Sequence, residues 1–181
     1  MGICLLLFAV FIYRTIFTAN PYVRKEYIFM AQQLTSDVAV KLKQRHNMVV
    51  VGVTAGLADA VNILGLEFQI RGPLSKEKLR SILVDCVEEF LISVNTNEQL
   101  RPFLKNYPFT EKEVEIVLYV LDATGRNVYH PEILVAVASH GIIWYATKDK
   151  NVKFGYKQDI EESYQTAFKI VQESKNTQEP E

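Results

Sequence analysis

Apolar residues recur at spacings of three and four in three stretches of the chain, and at alternate positions in several shorter ones. In NPYVRKEYIFMAQQLTSDVAVKLKQRH (20–46), Val23, Tyr27, Met30, Leu34, Val38 and Leu42 share one helical face. Asn20 suits the N-cap and Pro21 the first helical position. PLSKEKLRSILVDCVEEFLISVN (73–95) carries a broader stripe, from Leu79 through Ile82, Leu83, Cys86, Val87, Phe90 and Leu91 to Val94. Ser75 caps this helix, Leu74 and Leu79 fit a hydrophobic staple, and Asn95 can close its C-terminus. QDIEESYQTAFKIVQES (158–174) predicts a third helix with Ile160, Tyr164, Phe168 and Val171 on one face, and 175–181 a disordered tail.

Between these stretches the period falls to two. MVVVGV (48–53) predicts a short buried strand. In VNILGLEFQIRG (61–72), Leu64, Leu66, Phe68 and Ile70 alternate with Gly65, Glu67, Gln69 and Arg71, as in a half-buried strand. The intervening GVTAGLADA has neither GK[ST] nor GxGxxG, so it predicts a flexible loop rather than a phosphate cradle. EVEIVLYVLDATGRNVYHPEILVAVASHGIIWYAT (113–147) predicts an antiparallel meander with turns at DATGRN and SHG. Its HPEILVAVASHG portion also fits a helix, with Pro at the start and Gly at the end, but its β-branched content favours strand. The order α-β-β-α-β-β-β-α defines an α+β domain over 20–174, with an antiparallel sheet of about five strands and packed helices. In element order this resembles roadblock and longin-like domains, which are scaffolds and interaction modules; the resemblance implies fold and not function.

The N-terminus adds a location. ICLLLFAVFIYRTIF (3–17) opens with eleven uninterrupted apolar residues before Arg14. A full span takes about 20, and Arg14 can snorkel towards headgroups. The best cleavage site, after Ala19, has Phe17 two positions before it, a poor fit for signal peptidase. Residues 1–19 are therefore expected to be an uncleaved signal-anchor, with 3–18 crossing the membrane once. A cleaved signal and a buried N-terminal helix are the alternatives. Arg14, Arg24 and Lys25 follow the apolar run, so the positive-inside rule taken literally leaves the body in the cytoplasm. A short N-terminal anchor is also a common means of exporting a small domain, and an extracytoplasmic (periplasmic) domain is the expectation.

Composition and charge narrow the function. A net charge of −1, from 20 Lys and Arg against 21 Asp and Glu, gives nucleic acid no clustered positive field to bind. The local basic run VKLKQRH (40–46) predicts a solvated helix face. Cys4 lies in the apolar run and Cys86 in a helix stripe, where it reads as a small core residue; neither CxxC nor zinc spacing is present. His46, at a helix end, His130 and His140 are dispersed, and neither GxSxG nor HExxH occurs. No metal or cofactor is expected.

NTNEQLRPFLKNYPFT (95–110) is a long connection for a compact domain. TNEQ (96–99) matches a capping box and predicts one helical turn, which Pro102 and Pro108 stop from lengthening. Phe103, Leu104, Tyr107 and Phe109 fit a segment docked over a core edge. Arg101, Phe103, Asn106 and Tyr107 are the candidate binding residues, since they would set polar groups beside an apolar cleft for a protein or small ligand. FLISVNTNEQLRPFLKNYPFT resembles small bacterial exported or membrane-anchored proteins, which implies no activity. The expected function is a membrane-anchored bacterial envelope protein whose domain binds a ligand or protein without catalysis. The alternatives are a membrane-tethered hydrolase using a histidine, and a cytosolic scaffold. Carbonate extraction checks the anchor: the chain should stay with the membrane pellet, and quantitative release contradicts it.

Overall fold

The computed structural model describes residues 21–152 and 155–178. The expected signal-anchor over 1–19, and the expected cap Asn20, lie outside the described residues. Among the described residues no helix is long and apolar enough to cross a membrane. The elements are α1 (Pro21–His46), β1 (Val49–Gly56), β2 (Ile63–Arg71), α2 (Lys76–Thr96), a 3-10 turn (Arg101–Phe103), β3 (Val114–Leu121), β4 (Ile133–Ser139), β5 (Ile142–Thr147), β6 (Lys157–Ser163) and α3 (Tyr164–Gln178).

The fold is α+β, and the expected order is present with one further strand before the last helix. The single sheet has six strands in the order β1-β2-β3-β4-β5-β6. Two expectations are thereby corrected. The sheet is mixed rather than antiparallel, because β2 and β3 run parallel. It also has six strands rather than five, because Lys157–Ser163 extends along β5 instead of starting a helix. KQDIEES has the composition of a helix, and the open edge of β5 decides its conformation. α3 begins where the Ser163 hydroxyl accepts the Thr166 amide at 3.1 Å. It stays helical to Gln178, four residues into the tail expected from 175.

Residues 133–139 form a strand, not a helix. The turn into β5 places His140 and Gly141 at φ 53° and 80°, the left-handed pair of a two-residue hairpin. β1 runs on to Gly56, through half of the expected loop.

Parallel pairing of β2 and β3 obliges the chain to cross from the end of one to the start of the other, and α2 makes that crossing over one face. α1 packs beside α2 above β1 and β2, and α3 lies on its other flank against β5 and β6. Beneath them lie Leu64, Leu66, Phe68 and Ile70 of β2 and Val114, Ile116, Leu118 and Val120 of β3, all buried. Tyr27, Leu34, Val38 and Leu42 of α1 and the α2 stripe close the core from above. Cys86 is fully buried there, and burial pushes its thiol up, out of reach of ionisation at neutral pH.

Two charged fasteners hold the layers. Arg80, 8% exposed, donates to both Glu162 oxygens at 2.9 and 3.1 Å, and the Tyr145 hydroxyl donates to the same carboxylate at 2.8 Å. Burial opposes ionisation of Glu162, yet Arg80 and Tyr145 hold its carboxyl below the usual range. This joins α2 to β5 and β6. At the other flank Arg45 donates to Asp85 at 2.8 Å and Glu89 at 2.7 Å, Lys41 reaches Glu89 at 2.9 Å, and the His46 ring lies 2.8 Å from Asp85. The His46 hydrogen bond, opposed by burial and helped by Arg45, holds the Asp85 carboxyl at about 2 against an ordinary 3.8.

A carboxyl depressed on folding stabilises above its unfolded pKa and loses that contribution as pH falls through the folded one. Asp85 should therefore contribute about 1–2 kcal/mol at neutral pH, discounted for partial exposure, and lose it between about pH 4 and pH 2. Urea unfolding across that window should show a shallower acid limb for Asp85→Asn than for the wild type. Parallel limbs would show that the pair contributes nothing.

Candidate functional site

All three helices lie on one side of the sheet, so the other face is bare of helix among the described residues. Pairing lines its side chains up in rows across the strands. One row runs Gly52, Glu67, Val117, Val137, Trp144 and Glu161, from β1 to β6. The neighbouring row includes Thr54, Gly65, Glu115 and Ser139.

Two strand glycines make room for two glutamates. A Cβ on Gly52 would stand 2.8 Å from the Glu67 carboxyl carbon, so the Glu67 side chain lies across that strand. A Cβ on Gly65 would run into the carbonyl oxygen of Glu115. With nothing there, Thr54 on β1 reaches past β2 and donates to one Glu115 oxygen at 2.8 Å. Ser139 on β4 donates to the other at 3.0 Å. Glu115 is thus gripped from both sides. Tyr119 donates its hydroxyl to Glu67 at 3.1 Å. Burial, and then the Glu67 charge, push that hydroxyl up, so Tyr119 stays a proton donor at neutral pH.

Between the carboxylates the floor is apolar. Val137 is buried, and Val117 and Trp144, the chain's only tryptophan, are half-buried. Glu67 and Glu161 stand four strands apart, roughly 19 Å at the usual strand spacing. Carboxylates flanking an apolar and aromatic strip, Glu67 among them held by Tyr119, can receive an apolar segment bordered by cations.

Nucleophilic chemistry fits the geometry less well. Ser139 Oγ lies 2.7 Å from His140 Nδ1 as well as bonding Glu115. The serine therefore sits between acid and histidine, whereas activation places the histidine between the other two. His46 is engaged with Asp85, and His130 lies 3.3 Å from the Thr147 hydroxyl. Among the described residues no three His, Cys, Asp or Glu side chains converge to hold a metal.

The long connection has its own anatomy. Phe103 is half-buried and stacks on Tyr27 at 5.2 Å, and Tyr27 donates to the carbonyls of Leu57 and Ala58. Val61 bridges the segment in parallel, donating to the Phe103 carbonyl at 2.8 Å and accepting from Lys105 at 3.0 Å. Leu100, Leu104 and Phe109 are buried. Asn106 donates to Glu113 at 2.8 Å. Tyr107 is 52% exposed, with the Arg101 guanidinium 4.8 Å from its ring. Of the four candidate residues, Arg101 and Tyr107 thus form one accessible pair, Asn106 is exposed and bonded to Glu113, and Phe103 is engaged within the fold.

Two local expectations shift here. Asn97 rather than Thr96 holds the turn that follows α2, its side chain accepting the Leu100 amide at 2.9 Å, while Thr96 ends α2 and the 3-10 turn itself has no side-chain cap. Asn95 does not close that helix but clasps the Phe109 backbone at 2.8 and 3.0 Å.

Glu67, Glu115, Tyr119 and Trp144 were not candidates from sequence. Their alternation with core residues was visible, but only strand order brings them together.

The sequence matches no family model, and no curated protein or solved structure matches the chain.

Gly65→Ala should cost roughly 2–3 kcal/mol, the range for forcing an extra carbon into a packed site. Gly56→Ala, whose Cβ would press on the Ile63 γ-methyl at 2.9 Å but come no nearer than 3.6 Å to a backbone atom, should cost less than Gly65→Ala. Equal urea midpoints for the two variants would contradict the account of how Glu115 is seated.

Proposed function

We propose that the chain is a membrane-anchored envelope protein whose domain binds, without catalysis, a protein segment on its helix-free sheet face. The partner carries an apolar stripe bordered by Lys or Arg. The observation that carries this reading is the row Glu67, Val117, Val137, Trp144 and Glu161, which sets an apolar strip between carboxylates on a face no described helix covers. The grip of Thr54 and Ser139 on Glu115 supports it, because a carboxylate already fixed in place loses little further freedom on binding. The apolar N-terminal run supplies the tether, with the domain on the extracytoplasmic side. Arg101 and Tyr107 offer a second, smaller contact at the end of the sheet where β3 begins.

A hydrolase is the competing reading, and the Ser139–His140 contact speaks for it. It predicts that His140→Ala abolishes function without moving the melting temperature.

Photocrosslinking in cells tests the binding reading. Trp144 replaced by p-benzoylphenylalanine should yield an adduct with another protein. Glu67→Lys should remove that adduct while leaving the melting temperature within a few degrees. No adduct, or one indifferent to Glu67→Lys, would sink the proposal.

A further inference from the structure

We infer that a second copy of this chain pairs with the outer edge of β1, joining two sheets into one across a two-fold axis. The inference stands apart from the proposed partner site, which lies on the face of the sheet and not at its edge.

A sheet ends in two strands with unpaired backbone groups, and proteins that stay monomeric guard such edges with charge, proline or a covering element. The two edges here are treated differently. β6 carries Lys157, Glu161 and Glu162 along its length. β1, VVVGVTAG, has neither a charge nor a proline over its eight residues. Val49, Val51 and Val53 are 56%, 46% and 61% exposed. Among the described residues no strand pairs with the outer side of β1.

The flank above β1 is open too. α1 presents Gln32, Thr35, Ser36 and Ala39 towards β1, all small or uncharged. Between these residues and Val50, Val53 and Leu66 lies a slot of about 540 Å³. A strand added to β1 would bond to its backbone and place alternate side chains in this slot. The bulge at Val51 interrupts the ladder, leaving Gly52–Gly56 regular, a common length for a paired strand.

The occupant follows from charge and closure. β1 against its own copy brings a neutral edge to a neutral edge and buries no unpaired charge. Antiparallel self-pairing consumes both unguarded edges and leaves two charged β6 edges outside, so the assembly stops at two. Eight residues span roughly 26 Å, and strand and α1 together are roughly 20 Å deep, so each copy would bury roughly 500 Å². The two copies together reach about 1,000 Å², the threshold for a specific interface.

Sedimentation equilibrium of the full chain in detergent tests this. The wild type should sediment as a dimer at micromolar concentration, and Val53→Lys as a monomer with an unchanged melting temperature. Should Val53→Lys lower the melting temperature, Ser36→Arg, which fills the slot from the exposed side of α1, should give the monomer instead. A monomeric wild type, or a dimer that survives in a folded variant, overturns the inference.

Discussion

Parallel pairing of β2 with β3 sets the arrangement of everything else. Antiparallel neighbours can be joined by a tight turn, but parallel ones require the chain to travel back along the sheet, and α2 makes that passage across one face. Once α2 occupies the middle of that face, α1 and α3 find apolar surface only on either side of it. The core is then finished on one side, and among the described residues no helix covers the other. The open face is a consequence of connectivity, and so is the row of residues running across it.

The charged fasteners belong to the same constraint. α2 must stay seated over the centre of the sheet, and it is pinned at both flanks. Arg80 binds Glu162 and, through it, Tyr145; Asp85 and Glu89 receive Arg45, His46 and Lys41 from α1. Breaking the buried Arg80–Glu162 pair by removing one partner is costly, because the survivor keeps its charge without a counterion; the Arg45 and Lys41 pairs are more exposed and contribute less. The long connection after α2 contributes similarly. Asn95 clasps Phe109, and Val61 bridges the segment beside β2, so β3 enters the sheet in register with β2.

Much of this was legible in the sequence. The stripes of α1 and α2, the alternation of β2 and β3, the Ser75 cap and the order of elements all follow from local patterns. What was not legible depends on neighbours. KQDIEES becomes β6 because β5 offers an edge, although its composition suits a helix. Glu115 acquires meaning only when Gly65 lies beside it and Thr54 and Ser139 flank it, which requires the order of four strands. The long connection is conspicuous in the sequence for its length, yet most of its apolar residues are spent on packing. The sheet face is inconspicuous, because alternating polar positions on a strand read as ordinary solvent exposure.

The central claim is that the helix-free face is accessible and negatively charged around its apolar strip. Trp144 is the chain's only tryptophan and lies on that strip, so its fluorescence reports the face directly. Quenching at low ionic strength by caesium and by iodide separates accessibility from charge. Both ions should quench Trp144 and caesium should be the stronger, with the preference weakened in the Glu67→Gln, Glu161→Gln double variant, where Glu115 remains on the same face. A tryptophan protected from both ions, or one quenched better by iodide, would contradict it.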